Sequence, residues 1–120
     1  MAYTPYGGRL VVTASPQRII DLLITAGLVA GPPTGGQPAF PPRSGPHQTY
    51  HIFYAKAKSD NTGITYFGHT SALAADGTWA TVPLAKSEYF YENLVNGVAP
   101  LESWWVVGTA NDVIYVHFVE

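Results

Sequence analysis

The sequence predicts a mainly β fold: an antiparallel β-sandwich or jelly-roll-like barrel of about seven strands, with one short helix near the N-terminus and a long Pro/Gly-rich arm. Three observations carry that expectation. Short runs of β-branched and aromatic residues, separated by turn-forming pairs, recur from Thr49 to Val119. Only one stretch has a helical period. Strands and helices do not alternate, which argues against a Rossmann or other doubly wound sheet, and no internal repeat is visible. The 120 residues are expected to form a single β domain, 1–120.

Taken in order, Arg9 to Ala14 reads as a first strand. Ser15 is a good N-cap and Pro16 suits the first helical position. Ile19, Leu22, Leu23 and Ala26 then fall on one apolar face, and Gly27 is placed to close the helix. A helix of about three turns is too short to be stable alone, so it is expected to pack on a sheet. Residues 29–49 hold six of the ten prolines, with Arg43 as their one formal charge. Proline removes backbone donors, so this segment is expected to be neither helix nor central strand. A surface loop and an extended arm lying on a neighbour both fit; the arm is preferred, with Phe40 as an apolar anchor.

Beyond Thr49, Tyr50, Ile52 and Tyr54 alternate with His51, Phe53 and Ala55, so that both faces look apolar, as in a strand buried on two sides. Ser59-Asp60-Asn61-Thr62-Gly63 reads as a hairpin turn returning through Ile64–Phe67. Asp76-Gly77, Asn96-Gly97 and Ala110-Asn111-Asp112 read as further turns. Trp79–Val82 reads as a strand stopped by Pro83, and Ser87–Leu94 as one with Tyr89 and Tyr91 on one face and Phe90 on the other. Ser103–Gly108 is a strand whose adjacent Trp104 and Trp105 point opposite ways, one into the core and one in need of a cover. Val113–Val119 looks apolar on both faces and therefore central.

Composition narrows the function. Charged residues make up 12% of the chain, about half the ~25% of an ordinary soluble domain, while 47% are hydrophobic and 13% aromatic. That is too apolar for a disordered chain. A net charge of -2 argues against a nucleic-acid or anionic-membrane binder held by bulk charge. No stretch reaches the ~18 apolar residues of a transmembrane helix, and Met1–Pro5 lacks the start of a signal peptide. The absence of cysteine excludes disulfides and thiolate chemistry and makes folding in a cytosol the default. So few charges leave two accounts of the surface: one rich in small polar residues, or one partly covered by other subunits, and the second is preferred.

Chemical motifs are sparse. His47, His51, His69 and His117 lack the spacing of a metal motif. His51 and His117 lie in different strands and could meet across a sheet. His69-Thr70-Ser71 lacks the glycine elbow of a serine nucleophile. Asp60-Asn61 resembles a calcium pair without the acidic spacing that would complete it, and Gly35-Gly36 lacks the rest of a phosphate loop. No cofactor or metal is expected. Trp79, Trp104 and Trp105, with eight tyrosines, suit core packing or a subunit contact, and a sugar-stacking platform is the alternative.

The C-terminal half carries short motifs: Ile64-Thr65-Tyr66-Phe67-Gly68, then Ala85-Lys86-Ser87-Glu88-Tyr89-Phe90, then Trp105-Val106-Val107-Gly108-Thr109-Ala110 with Val113-Ile114-Tyr115-Val116. With Leu10–Ser15, they resemble a pattern of small virion proteins of tailed bacteriophages, over residues 10–28 and 50–119. The resemblance implies a compact β-barrel or jelly-roll-like sandwich that decorates a capsid or forms part of a tail. The Pro-rich stretch 29–49 departs from the pattern and is a candidate attachment device.

The expected function is therefore that of a non-enzymatic virion structural protein, a capsid decoration or cement protein made in the host cytoplasm. Its expected partners are the major capsid protein or another virion protein and copies of itself, with a trimer favoured and neither nucleic acid nor membrane contacted directly. Tyr3, Tyr6, Pro33, Phe40, Pro42, Arg43 and Trp105 are the expected interface residues. A carbohydrate- or receptor-binding tail module, a small hydrolase or isomerase using His69 or His117, and a head–tail connector or tail subunit are the rivals.

Overall fold

A computed structural model describes residues 5–25, 49–95 and 97–119. Two four-stranded antiparallel sheets face each other. The front sheet is ordered β1 (Pro5–Val11), β10 (Val113–Val119), β4 (Ile52–Ala57), β7 (Tyr89–Asn93). The back sheet is ordered β2 (Gln17–Arg18), β9 (Trp105–Val107), β5 (Thr65–Gly68), β6 (Val82–Leu84). A small ladder pairs β3 (Thr49–Tyr50) with β8 (Ala99–Pro100), and α1 (Ile19–Thr25) follows β2 directly. The described strands thus number ten rather than about seven, in three sheets. With the small ladder set aside, the pairs nest. The first strand meets the last (β1–β10), the second meets the second-last (β2–β9), β4 meets β7, and the middle two, β5 and β6, meet each other.

The inward positions explain the packing. Phe53, Ala55 and Ala57 of β4 alternate with outward residues, as do Ile114, Val116 and Phe118 of β10. Phe53 stacks on Phe118 at 4.3 Å between ring centroids. Phe90 and Phe67 approach Phe53 edge-on, and Trp104 is tilted against it. From the back sheet, Val106, Phe67 and Leu84 complete the layer, and α1 adds Ile19, Ile20 and Leu23. Removing a ring such as Phe53 from this stack is worth about 3–5 kcal/mol.

Several elements differ from expectation for identifiable reasons. β1 begins at Pro5 and ends at Val11, because β10 pairs with it over seven residues, Pro5 opposite Val119 to Val11 opposite Val113. The helix starts at Ile19, not after Ser15, because Gln17 and Arg18 are drawn into a ladder with Val106 and Trp105, and the Ile19 N–H donates to the Trp104 carbonyl. Arg18 and Asp21 form an ion pair across the first turn at 2.9 Å. Trp79 belongs to no strand: it sits in a turn at φ +67°, and Pro83 lies inside the short edge strand β6, where a missing donor is tolerated.

The turn at Ser59–Gly63 forms as the residues suggest, yet it joins no hairpin. β4 belongs to the front sheet and β5 to the back, so this turn carries the chain across the sandwich. Two buried side chains hold the crossing. Asn61 donates through Nδ2 to the Val113 carbonyl and accepts the Val113 N–H at Oδ1, both at 2.8 Å. Asp112 accepts from the Thr62 N–H, the Thr62 hydroxyl and the Gly63 N–H. Among the turns that match expectation, Gly77 is at φ +93° beneath the Tyr66 ring, where an added Cβ would lie 2.9 Å from Cε1.

Candidate functional site

β4 and β10 read as strands buried on both sides, and the structure corrects this: each is buried on one side only. Phe53, Ala55 and Ala57 are sealed, while Lys56, Tyr115 and His117 are exposed and Tyr54 is half-exposed. β10 is nonetheless central, as expected. Strand register sets the outer face of the front sheet in rows. One row runs Arg9, Tyr115, Lys56, Tyr89, cation and ring alternating across the four strands. The next runs Gly7, His117, Tyr54, Tyr91. The third ends in Val119, Ile52, Asn93. Directly opposed side chains in such rows stand about 5 Å apart at Cβ, so neighbours touch. Tyr54 and Tyr89 do so on the diagonal, with ring centroids 5.8 Å apart. Tyr89 and Tyr91 are 61% and 64% exposed, an unusual state for two adjacent rings on one strand.

No carboxylate stands on the outward positions of these four strands. Glu92, the acidic residue of β7, points inward with Phe90, and its Oε1 accepts the Tyr50 hydroxyl at 2.6 Å. That hydroxyl in turn accepts the Trp104 indole N–H at 2.6 Å. Burial, first, and the bond to Glu92, second, push the Tyr50 phenol well above the ordinary tyrosine value. His69 lies over Trp104 at 4.1 Å between ring centroids, and its Nδ1 is 3.0 Å from the Ser103 carbonyl. The polar chain therefore seats Trp104 in the core.

A second exposed aromatic feature, apart from the tyrosine face, is Trp79, 70% exposed on the loop that covers the back sheet. That loop is anchored by Leu73, which is buried against Gly68. A bulky residue at positive φ carries backbone strain of about 1 kcal/mol or more. A third apolar feature is the pair Val95 and Val98, exposed at the tip between β7 and β8. A shallow depression of about 360 Å³ lies between the free edges of β6 and β7, lined by Val82, Leu84, Glu88 and Phe90 among others.

Of the expected interface residues, Trp105 is half-buried on the outer side of the back sheet, opposite Arg18 and Gly68, while Trp104 enters the core; the division of roles between the two tryptophans is as expected. Trp105 therefore lies on the far side of the sandwich from the tyrosine face. Tyr6 is placed in β1 opposite Phe118. Tyr3, Pro33, Phe40, Pro42 and Arg43 lie outside the described residues, as does the 29–48 part of the arm. His51 and His117 do not oppose each other: His117 is opposite Tyr54, and His51 precedes β4. Asn61, half of the supposed calcium pair, is occupied by Val113. Among the described residues, no group of three His, Asp or Glu side chains could hold a metal ion, and no helix is long and apolar enough to cross a membrane.

Sequence reasoning noted the split of Tyr89 and Tyr91 from Phe90 but missed the face that they share with Tyr54 and Tyr115. The available signal was chemical: on β4, β7 and β10 phenylalanine marks the sealed side, whereas tyrosine, with one apolar body and one wet end, marks the open side. No family model matches the chain, and neither the curated proteins nor the solved structures include a significant match to it.

Proposed function

We propose that this chain is a non-enzymatic structural protein of a tailed-phage virion, a capsid decoration protein, and that the outer face of its front sheet is the surface by which it docks. One observation carries the docking: two central strands have the apolar content of strands covered on both sides, yet the described residues cover one side. Tyrosine with arginine is the composition typical of protein-contact cores. The nested strand pairing supports a jelly-roll assignment, since wrapping a folded ribbon into two sheets produces that nesting. Jelly rolls occur in capsid proteins and in lectins, so the fold leaves the choice to the surface. The virion assignment rests on the short motifs in the C-terminal half.

The test is direct. Full-length protein is added to capsids assembled without it, and pelleting is followed, with light scattering of the isolated protein alongside. Binding to the shell, abolished by Tyr91→Ser with Tyr115→Ser, is the expected result. A soluble monomer with no affinity for any shell overturns the proposal. The exposed Trp79 favours a second reading, a carbohydrate- or receptor-binding tail module, which predicts glycan binding lost on Trp79→Ala.

A further inference from the structure

Resting on the docking reading above, we infer that the occupant of the front-sheet face is an acidic, extended segment of a different polypeptide, rather than a second copy of this chain. The charge pattern carries the inference. Although the chain is net negative, the row Arg9–Tyr115–Lys56–Tyr89 places two of its six Lys and Arg residues on one face with no carboxylate among the outward positions, and His117 stands in the adjoining row. Asp60, at the corner beyond the face, is bonded to Lys58 at 2.6 Å and is also within electrostatic reach of Arg9, so it offsets part of the charge at that end of the row and leaves Lys56 as the cation farther along it. Tyrosine hydroxyls add further donors. Carboxylates are the complementary chemistry: they accept from both kinds of group and leave the rings to pack against the segment's apolar atoms.

Self-association through this face is disfavoured by the same pattern. Two copies brought face to face would stack a positive surface on a positive surface, and like charges facing each other weaken an interface. Size points to a segment rather than a globular partner. Four strands about 4.8 Å apart make a face about 14 Å across, and its longest strands, of seven residues, run about 23 Å, so the face covers roughly 320 Å², well below the roughly 800 Å² per partner of a standard protein interface. An extended chain or a loop fits such a strip.

The probe is fluorescein-labelled poly-L-glutamate, with poly-L-lysine and oligothymidylate as comparisons, read by anisotropy on the full chain. Poly-L-glutamate should bind, and should weaken about tenfold or more between roughly 0.1 M and 1 M salt as the screening length falls from about 10 Å to about 3 Å. Arg9→Glu with Lys56→Glu should abolish it, and the neutral pair Arg9→Gln with Lys56→Gln should weaken it. All four substitutions are at exposed positions, so an unchanged melting temperature is expected and verifies folding. Absence of poly-L-glutamate binding at low salt, or binding indifferent to the charge reversal, overturns the inference. So does tighter binding of oligothymidylate lost in the same variants, which would make the occupant a nucleic acid. Capsid pelleting separates the two levels. Loss with the tyrosine variants but not with the charge reversal leaves docking intact and removes the acidic partner. Indifference to both sets removes the face itself.

Discussion

Replacing Asn61 by alanine should cost this protein about 2–3 kcal/mol of stability, and the structure says why. Asn61 is 7% exposed and acts as a surrogate strand at the start of β10, bonding both the N–H and the carbonyl of Val113. The two bonds are not equivalent. The Val113 carbonyl also receives the Lys58 N–H at 3.0 Å, so it keeps a partner when the side chain is removed. The Val113 N–H has no such reserve, and an unsatisfied buried donor costs about 1–3 kcal/mol, with roughly 0.5–1 kcal/mol more for the lost carbonyl bond. At about 4 °C per kcal/mol for a domain of this size, the melting temperature should fall by roughly 8–12 °C. Urea unfolding followed by circular dichroism should show the midpoint falling with the slope unchanged, since the same surface is exposed on unfolding. Asn61→Asp should be no milder at neutral pH, because it keeps the acceptor but turns a carboxylate toward the Val113 carbonyl. A loss below about 0.5 kcal/mol for the alanine variant, within the range of an ordinary surface change, would refute the argument that this side chain holds the crossing between the sheets.

Two further predictions concern the aromatics. The raised pKa of Tyr50 gives stability that is complete below the ordinary tyrosine value near 10 and is lost as pH rises above it toward the folded value, so alkaline melting should steepen above about pH 10. Tyr50→Phe should lower stability at neutral pH, by leaving the Trp104 N–H without its acceptor, and should flatten that alkaline dependence; an unchanged profile would show that the network is not coupled to folding. Trp79→Gly should leave the melting temperature unchanged or raise it by a few degrees, because it relieves a positive φ and removes a ring that is mostly in solvent. A fall of several degrees would mean that the indole is a structural cover.

Local chemistry was enough to place several turns, the central strand and the split of neighbouring residues between the two faces of a strand, but not which face of β4 and β10 is open. Asp76-Gly77 turns beneath Tyr66, Val113–Val119 forms the central strand over its expected length, and Phe90 parts from Tyr89 and Tyr91 as Trp104 does from Trp105. Those features depend on a residue and its near neighbours along the chain, through backbone preference and the alternation of a pleat. What only the tertiary structure decided was which strand meets which. Ser59–Gly63 carries the same turn signal whether the chain doubles back or crosses to the opposite sheet, and the crossing is selected by Asn61 reaching from the turn to Val113 and by Asp112, beside it, reaching back to Thr62 and Gly63, some fifty residues apart in sequence. Exposure of the outer face was hidden for a related reason. Tyr54 and Phe53 count alike as aromatic in sequence, and a hydroxyl's contact with water depends on what the rest of the chain packs against it. The tyrosine face therefore became visible only when the long-range pairing of β1, β10, β4 and β7 put its rows side by side.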